Sequence, residues 1–166
     1  MGGCAGMNTA IVCVGKLRER CYREAADEYL KRLRRFGPCQ EIEVPDLPEP
    51  EGASAAQQAE VRRREGERLL GALRPGDRVV ALCVEGAPCS SEALAARIAA
   101  WRARGNIKRM VWIVGGSLGL DDAVIRRADE RLSLSAMTFP HQLARVVLLE
   151  QLYRACKIGA NERYHK

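Results

Sequence analysis

The chain carries two histidines, and the one at its end stands in a run that could do chemistry, Arg163-Tyr164-His165-Lys166. An imidazole with a reference pKa of about 6.5 takes up a proton near neutral pH, so His165 can serve as a base or an orienting group. Tyr164 adds a phenol beside it. Arg154, on the apolar stretch upstream, adds a guanidinium whose planar fork can hold a phosphate or a base carbonyl. The other histidine, His141, follows Thr138-Phe139-Pro140 at a helix start, where we expect it to contact the preceding loop or cap the helix. No metal centre is expected. The seven cysteines form no C-x-x-C pair and have no histidine nearby to complete a zinc site.

Side chains at a chain end act only by reaching a site built elsewhere. In alternating strand-helix chains such sites form where parallel strands end at their carboxyl edge. Three strand ends qualify: 82–86, 114–119 and 133–141. The middle one, VGGSLGL, is glycine-rich and permits close backbone approach. It lacks both the Gly-Lys-Ser/Thr of a P-loop and the G-x-G-x-x-G spacing of a dinucleotide fold. The last one is more informative. A strand over Leu132–Ser135 breaks at Thr-Phe-Pro-His, because Pro140 disfavours a helical Phe139 and suits the first turn of the helix after it. The backbone groups of 134–139 are thereby left without ladder partners, beside the glycine loop, where they can hydrogen-bond an adenine edge.

The elements that must position these ends alternate regularly. Strands are expected at Thr9–Gly15, Glu41–Val44, Arg78–Gly86, Met110–Gly116 and Leu132–Ser135. Helices are expected from about Tyr22 to Phe36, over 55–73, after a cap at Ser90 or Ser91, after Asp121 or Asp122, and after Pro140. Pro45–Ser54 is rich in proline and acid and reads as a surface loop. The fold class that follows is α/β, a mostly parallel sheet with helices on both faces. In the last helix Leu143, Val146, Val147, Leu148, Leu149, Leu152 and Tyr153 cover more circumference than one core-facing stripe uses. A partner subunit could bury the remainder.

Composition narrows the class further. At 166 residues with 47% apolar residues, the chain can bury a core without staples. No apolar run approaches the roughly 20 residues of a bilayer crossing, so no membrane is expected as a partner. The start, MGGCAGMNTA, has neither the basic nor the apolar region of a secretory signal. We read 1–6 as a disordered extension and 7–166 as one domain. Scattered, odd-numbered cysteines point to a reducing compartment, the cytoplasm. The net charge of +6 is uneven. Residues 1–96 hold 14 basic and 15 acidic side chains, and residues 97–166 hold 13 and 6. A basic half suits a polyanion, with Arg104, Lys108, Arg109, Arg126 and Arg127 as candidate phosphate contacts.

The combination of IVGGSLGL, LSLSAMTFPHQLARVVLLEQLYRA and a tail ending NERYHK makes the chain from Met7 onward similar to a known family. It resembles the small ribosomal RNA methyltransferases of the RlmH family, in the SPOUT superfamily. The resemblance implies a C-terminal segment threaded through a loop as a trefoil knot, an exception to the rule against knots. It implies a homodimer that binds S-adenosylmethionine in the knot and methylates N3 of a pseudouridine in large-subunit ribosomal RNA. Carried over residue by residue, Leu82, Gly115, Gly116, Leu134, Ser135, Ala136, Met137, Thr138 and Phe139 would line the cofactor site. Arg154, Tyr164 and His165 would supply the catalytic groups. One departure stands out: the family tail usually has Pro before Tyr-His, where this chain has Arg163. Two other functions share these residues, a non-catalytic RNA-binding module and an enzyme using another adenosine ligand. The joint presence of the cofactor run and the Tyr-His tail favours catalysis.

Overall fold

The computed structural model describes Gly6 and residues 8–164. Residues 1–5 of the expected extension, and His165 in the tail, lie outside the described residues. Among the described residues five strands alternate with five α-helices: β1 (Thr9–Val14), α1 (Arg20–Leu33), β2 (Cys39–Val44), α2 (Ala55–Gly71), β3 (Asp77–Pro88), α3 (Ser91–Ala103), β4 (Arg109–Val114), α4 (Asp122–Arg127), β5 (Glu130–Ser133) and α5 (His141–Gly159). A single 3-10 turn, Arg34–Phe36, closes α1. The sheet order is β2-β1-β4-β3-β5 and every pairing is parallel. All five carboxyl ends therefore lie along one edge.

Local chemistry accounts for most of the boundaries. Gly15, at φ +77°, ends β1 in a conformation that costs other residues energy. Ser54 opens α2 with a capping box: its hydroxyl accepts from the Gln57 N–H while the Gln57 side chain accepts from the Ser54 N–H. Of the paired alternatives, Ser90 caps α3 and Asp121 caps α4, each accepting a backbone N–H two or three residues on. The sheet is covered on both sides. Ile11, Cys13, Val80, Met110 and Trp112 face α1, α3 and α5, while Val12, Val79, Val111 and Ile113 pack with Leu69 of α2 and Val124 of α4. Burial on both faces explains why β1, β3 and β4 read as continuous apolar runs. No helix among the described residues is long and apolar enough to cross a membrane.

Two strands depart from expectation where the site forms. β3 runs on to Pro88, and its register against β5 breaks, with Leu82 and Ala87 both opposite Leu132. The intervening Cys83–Gly86 bulges out of the ladder. Gly86 makes this possible, since a Cβ there would lie 2.5 Å from the Leu132 carbonyl carbon. β5 stops at Ser133 and does not reach Ser135. The serines end it themselves: the Ser133 hydroxyl donates to the Ser135 carbonyl at 2.8 Å, and the Met137 N–H donates to the Ser135 hydroxyl at 3.0 Å. Local side-chain bonds of this kind compete with a ladder.

Candidate active site at the carboxyl edge of the sheet

Beside the β3 bulge and past the ends of β4 and β5 the chain encloses a cleft of about 940 Å³. Leu82, Gly115, Gly116, Leu134, Ser135, Met137, Thr138 and Phe139 all line it, so three segments far apart in sequence meet in one place. Ala136, named with them from the sequence, is exposed and does not line it. The run 134–139 makes no backbone–backbone hydrogen bond among the described residues. Apart from the two serine contacts above, its N–H and C=O groups have no hydrogen-bond partner among the described residues and are placed where a ligand could meet them. The glycine loop owes its shape to tight contact. A Cβ on Gly115 would stand 3.0 Å from the Gly119 carbonyl, and one on Gly116 would stand 3.1 Å from Glu65 Oε2. Glu65 is buried on α2, accepts the Leu47 N–H at 3.0 Å, and has its carboxyl pushed upward by burial.

The floor of the cleft is the start of α5, where His141 and Ala144 line it. Burial first, then the neighbouring Arg145 guanidinium, lowers the His141 imidazole below its ordinary range. Arg145 is 1% exposed. It donates to Glu43 Oε1 at 2.7 Å and to the Gly15 carbonyl at 2.8 Å, with Glu41 3.5 Å away. Arg23 of α1 donates to Glu41 at 2.6 Å. Gln142 accepts from the Arg18 N–H at 3.0 Å, which ties α5 to the loop entering α1. Arg145 is not among the residues expected from the sequence. The available signal was a cation inside an apolar helix together with Glu41 and Glu43 on one face of β2.

Arg154 and Tyr164 lie elsewhere. The Arg154 guanidinium donates to Glu150 at 2.6 and 3.0 Å and sits 4.3 Å above the Tyr164 ring. Tyr164 packs edge-on to Tyr153 at 5.3 Å. Burial, then hydrogen bonding with Tyr29, pushes its phenol up to about 12. Glu162 holds this end of the chain through Arg35 and Lys157. With a helical rise of 1.5 Å per residue, Arg154 stands roughly 20 Å along α5 from His141. One chain therefore does not bring the tail cluster to its own cleft. The basic residues also depart from expectation. Arg109 is 2% exposed and paired to Asp77 at 2.6 Å, so it is a core ion pair. Arg104 and Lys108 precede β4, at the sheet edge opposite the cleft.

A parallel α/β sheet with a ligand-sized cleft at its carboxyl edge occurs in many enzymes, and comparison with known proteins separates them. Residues 7–165 match the family model described as "Predicted SPOUT methyltransferase". The chain belongs to the SPOUT methyltransferase family. Among curated SPOUT relatives, the protein named "Ribosomal RNA large subunit methyltransferase H" from Bifidobacterium animalis subsp. lactis is 56% identical, over 96% of this chain and 100% of its own length. Its namesake from Symbiobacterium thermophilum is 49% identical over the same shares. A solved structure titled as a probable methyltransferase from Bordetella pertussis Tohama I superposes with a TM-score of 0.56 at 15% identity, covering 92% of this chain and 95% of its own. That likeness supports the SPOUT fold alone.

Proposed function

We propose that the chain is an S-adenosylmethionine-dependent enzyme that methylates N3 of a pseudouridine in large-subunit ribosomal RNA. It acts as a homodimer in the cytoplasm, with residues 7–166 as one domain and α5 drawn through a trefoil knot. The observation that carries this reading is the cleft itself. Backbone groups of 134–139 that lack a backbone partner among the described residues line the same cleft as the glycine loop, in a chain related over 96% of its length to proteins named as ribosomal RNA methyltransferases.

The cleft suits the cofactor. Its volume lies at the upper end of the range for small-molecule sites. Leu82, Leu134 and Phe139 offer apolar walls for an adenine ring, and the main chain of Leu134–Phe139 offers donors and acceptors for its edge. Gly115 and Gly116 let backbone approach without a side chain in the way. S-adenosylmethionine, when bound, supplies an activated methyl group. The protein must then place the nucleophilic nitrogen in line and manage its proton. An imide N–H is a weak acid, so a nearby base or donors to its flanking carbonyls raise its reactivity. A phenol held at about 12 stays protonated at neutral pH, which makes Tyr164 a donor or stacking partner. The proton then falls to His165, and Arg154 holds a phosphate or carbonyl.

The separation of Arg154 and Tyr164 from their own cleft supports a site completed by a second copy. Leu143, Val146 and Val147 of α5 are partly exposed, Val146 while also packed on its own core, and together they form an apolar strip for that copy to cover. The deciding experiment is single-turnover transfer of labelled methyl to ribosomes from cells lacking this enzyme, followed by mass spectrometry of the ribosomal RNA. Label on pseudouridine N3 is the expected result. Label elsewhere, or none, overturns the reading.

A further inference from the structure

An RNA substrate must be held by its phosphates as well as by the base that reacts, and phosphate contacts come from cations that are free to make them. The charge count points to the second half of the chain, yet the structure removes those candidates from the cleft. Arg109 is committed to Asp77, Arg104 and Lys108 lie at the far edge, Arg127 turns toward Asp129 and the Asp77 carbonyl, and Arg126, exposed on α4, is not among the residues lining the cleft. The cleft is lined by two other basic residues, Arg62 of α2 and Arg131 of β5. Their side chains make no hydrogen bond or ion pair among the described residues, in a protein whose arginines are mostly paired. Glu85 and Asp122 also line the cleft, but neither comes within ion-pair distance of either arginine. The two cations approach from different sides. α2 packs over β1, β2 and α4, whereas β5 is the opposite edge strand.

We propose that Arg62 and Arg131 are the substrate clamps of this cleft, each taking a backbone phosphate of an RNA strand laid across its mouth. The inference rests on the reading of the substrate as RNA and adds the residues that hold it. Guanidinium suits the task because its fork meets phosphate oxygens in pairs and it stays charged at any working pH. The arrangement also explains why both side chains are left unpaired: an intramolecular partner would have to be displaced before the strand could dock.

The test measures affinity for ribosomes from cells lacking the enzyme, at several salt concentrations and fixed magnesium, for the parent, Arg62→Gln, Arg131→Gln and the double variant. Each substitution should weaken binding roughly tenfold, the scale of a charge-assisted hydrogen bond. Each should flatten the plot of log affinity against log salt by about one. Affinity for S-adenosylhomocysteine, measured by calorimetry on the same proteins, should not move. Arg74→Gln, an exposed cation before β3 at the amino edge, should leave the slope unchanged. An unaltered slope in the double variant overturns the proposal. So does a matching loss of S-adenosylhomocysteine affinity, which would assign the arginines to the cofactor's carboxylate. A parent that binds no ribosomes fails the RNA reading itself and takes the clamp with it.

Discussion

Gly115 shows how little room the cleft leaves for a single atom. A Cβ there meets the Gly119 carbonyl carbon and oxygen and the Leu120 side chain, all at 3.0 Å. Backbone cannot swing aside as a flexible side-chain end can, so Gly115→Val should displace the loop. We expect S-adenosylhomocysteine affinity to fall at least tenfold in calorimetry while circular dichroism stays that of the parent; equal affinities would remove this loop from the pocket. Tyr164 gives a second prediction at the same scale. Its phenol is raised above the ordinary value of 10 to about 12 in the folded chain. The folded state therefore holds the proton more tightly, and the stabilisation this gives the docked tail is complete below pH 10 and lost as pH rises through about 12. Phenolate absorbance of the parent minus that of Tyr164→Phe should show this late titration.

Among the elements, α5 is tied to the sheet by one buried arginine. Arg145 spans from α5 to Glu43 and to the end of β1. Buried ion pairs add little net stability compared with apolar residues, but removing one partner strands the other. Arg145→Met should leave Glu41 and Glu43 to Arg23 alone, at 2.6 and 3.5 Å, and cost up to about 3–5 kcal/mol in denaturant unfolding. Adding Glu43→Gln to it should recover part of the loss; a cost under about 1 kcal/mol would show that water reaches the cluster. His141 adds a pH dependence at the start of the same helix. Its imidazole is lowered, so its neutral form is favoured on folding. That contribution is present above the ordinary value of 6.5 and disappears as pH falls through the lower folded value, where a cation would face both Arg145 and the positive end of α5. Stability measured from pH 7.5 down to 5 should decline more steeply in the parent than in His141→Asn.

At the scale of the whole molecule, the cleft and the tail cluster sit at opposite ends of α5, and a second copy offers the simplest way to join them. Replacing Leu143 and Val147, which belong to neither core cluster, by Asp should convert a dimer to a folded monomer in analytical ultracentrifugation and abolish methyl transfer. Mixing supplies a sharper test. A chain lacking residues 164–166 keeps its cleft, and Gly115→Val keeps its tail. If the tail serves the partner's cleft, the two inactive proteins should regain activity when their subunits are exchanged. No recovery after verified exchange would place the tail in its own subunit.

Strand-helix alternation, the caps to within one residue at Ser90 or Ser91 and at Asp121 or Asp122, and the break before Pro140 were legible in the sequence. Each depends on residues within a few positions of one another, and such local preferences survive in any surroundings. Much of the cleft's lining was legible for the same reason, since its glycine loop and most of its 134–139 run are contiguous segments. Other features required the assembled chain. The Cys83–Gly86 bulge exists because Leu82 and Ala87 share Leu132, a partner some 45–50 positions away. Burial of Arg145 depends on carboxyl and carbonyl groups 102 and 130 residues distant. Arg109 became a core ion pair and Arg62 a cleft residue, although composition alone ranked them the other way. Charge in a sequence has a sign but no direction; packing decides which cations meet a carboxylate, and only those left over can meet a substrate.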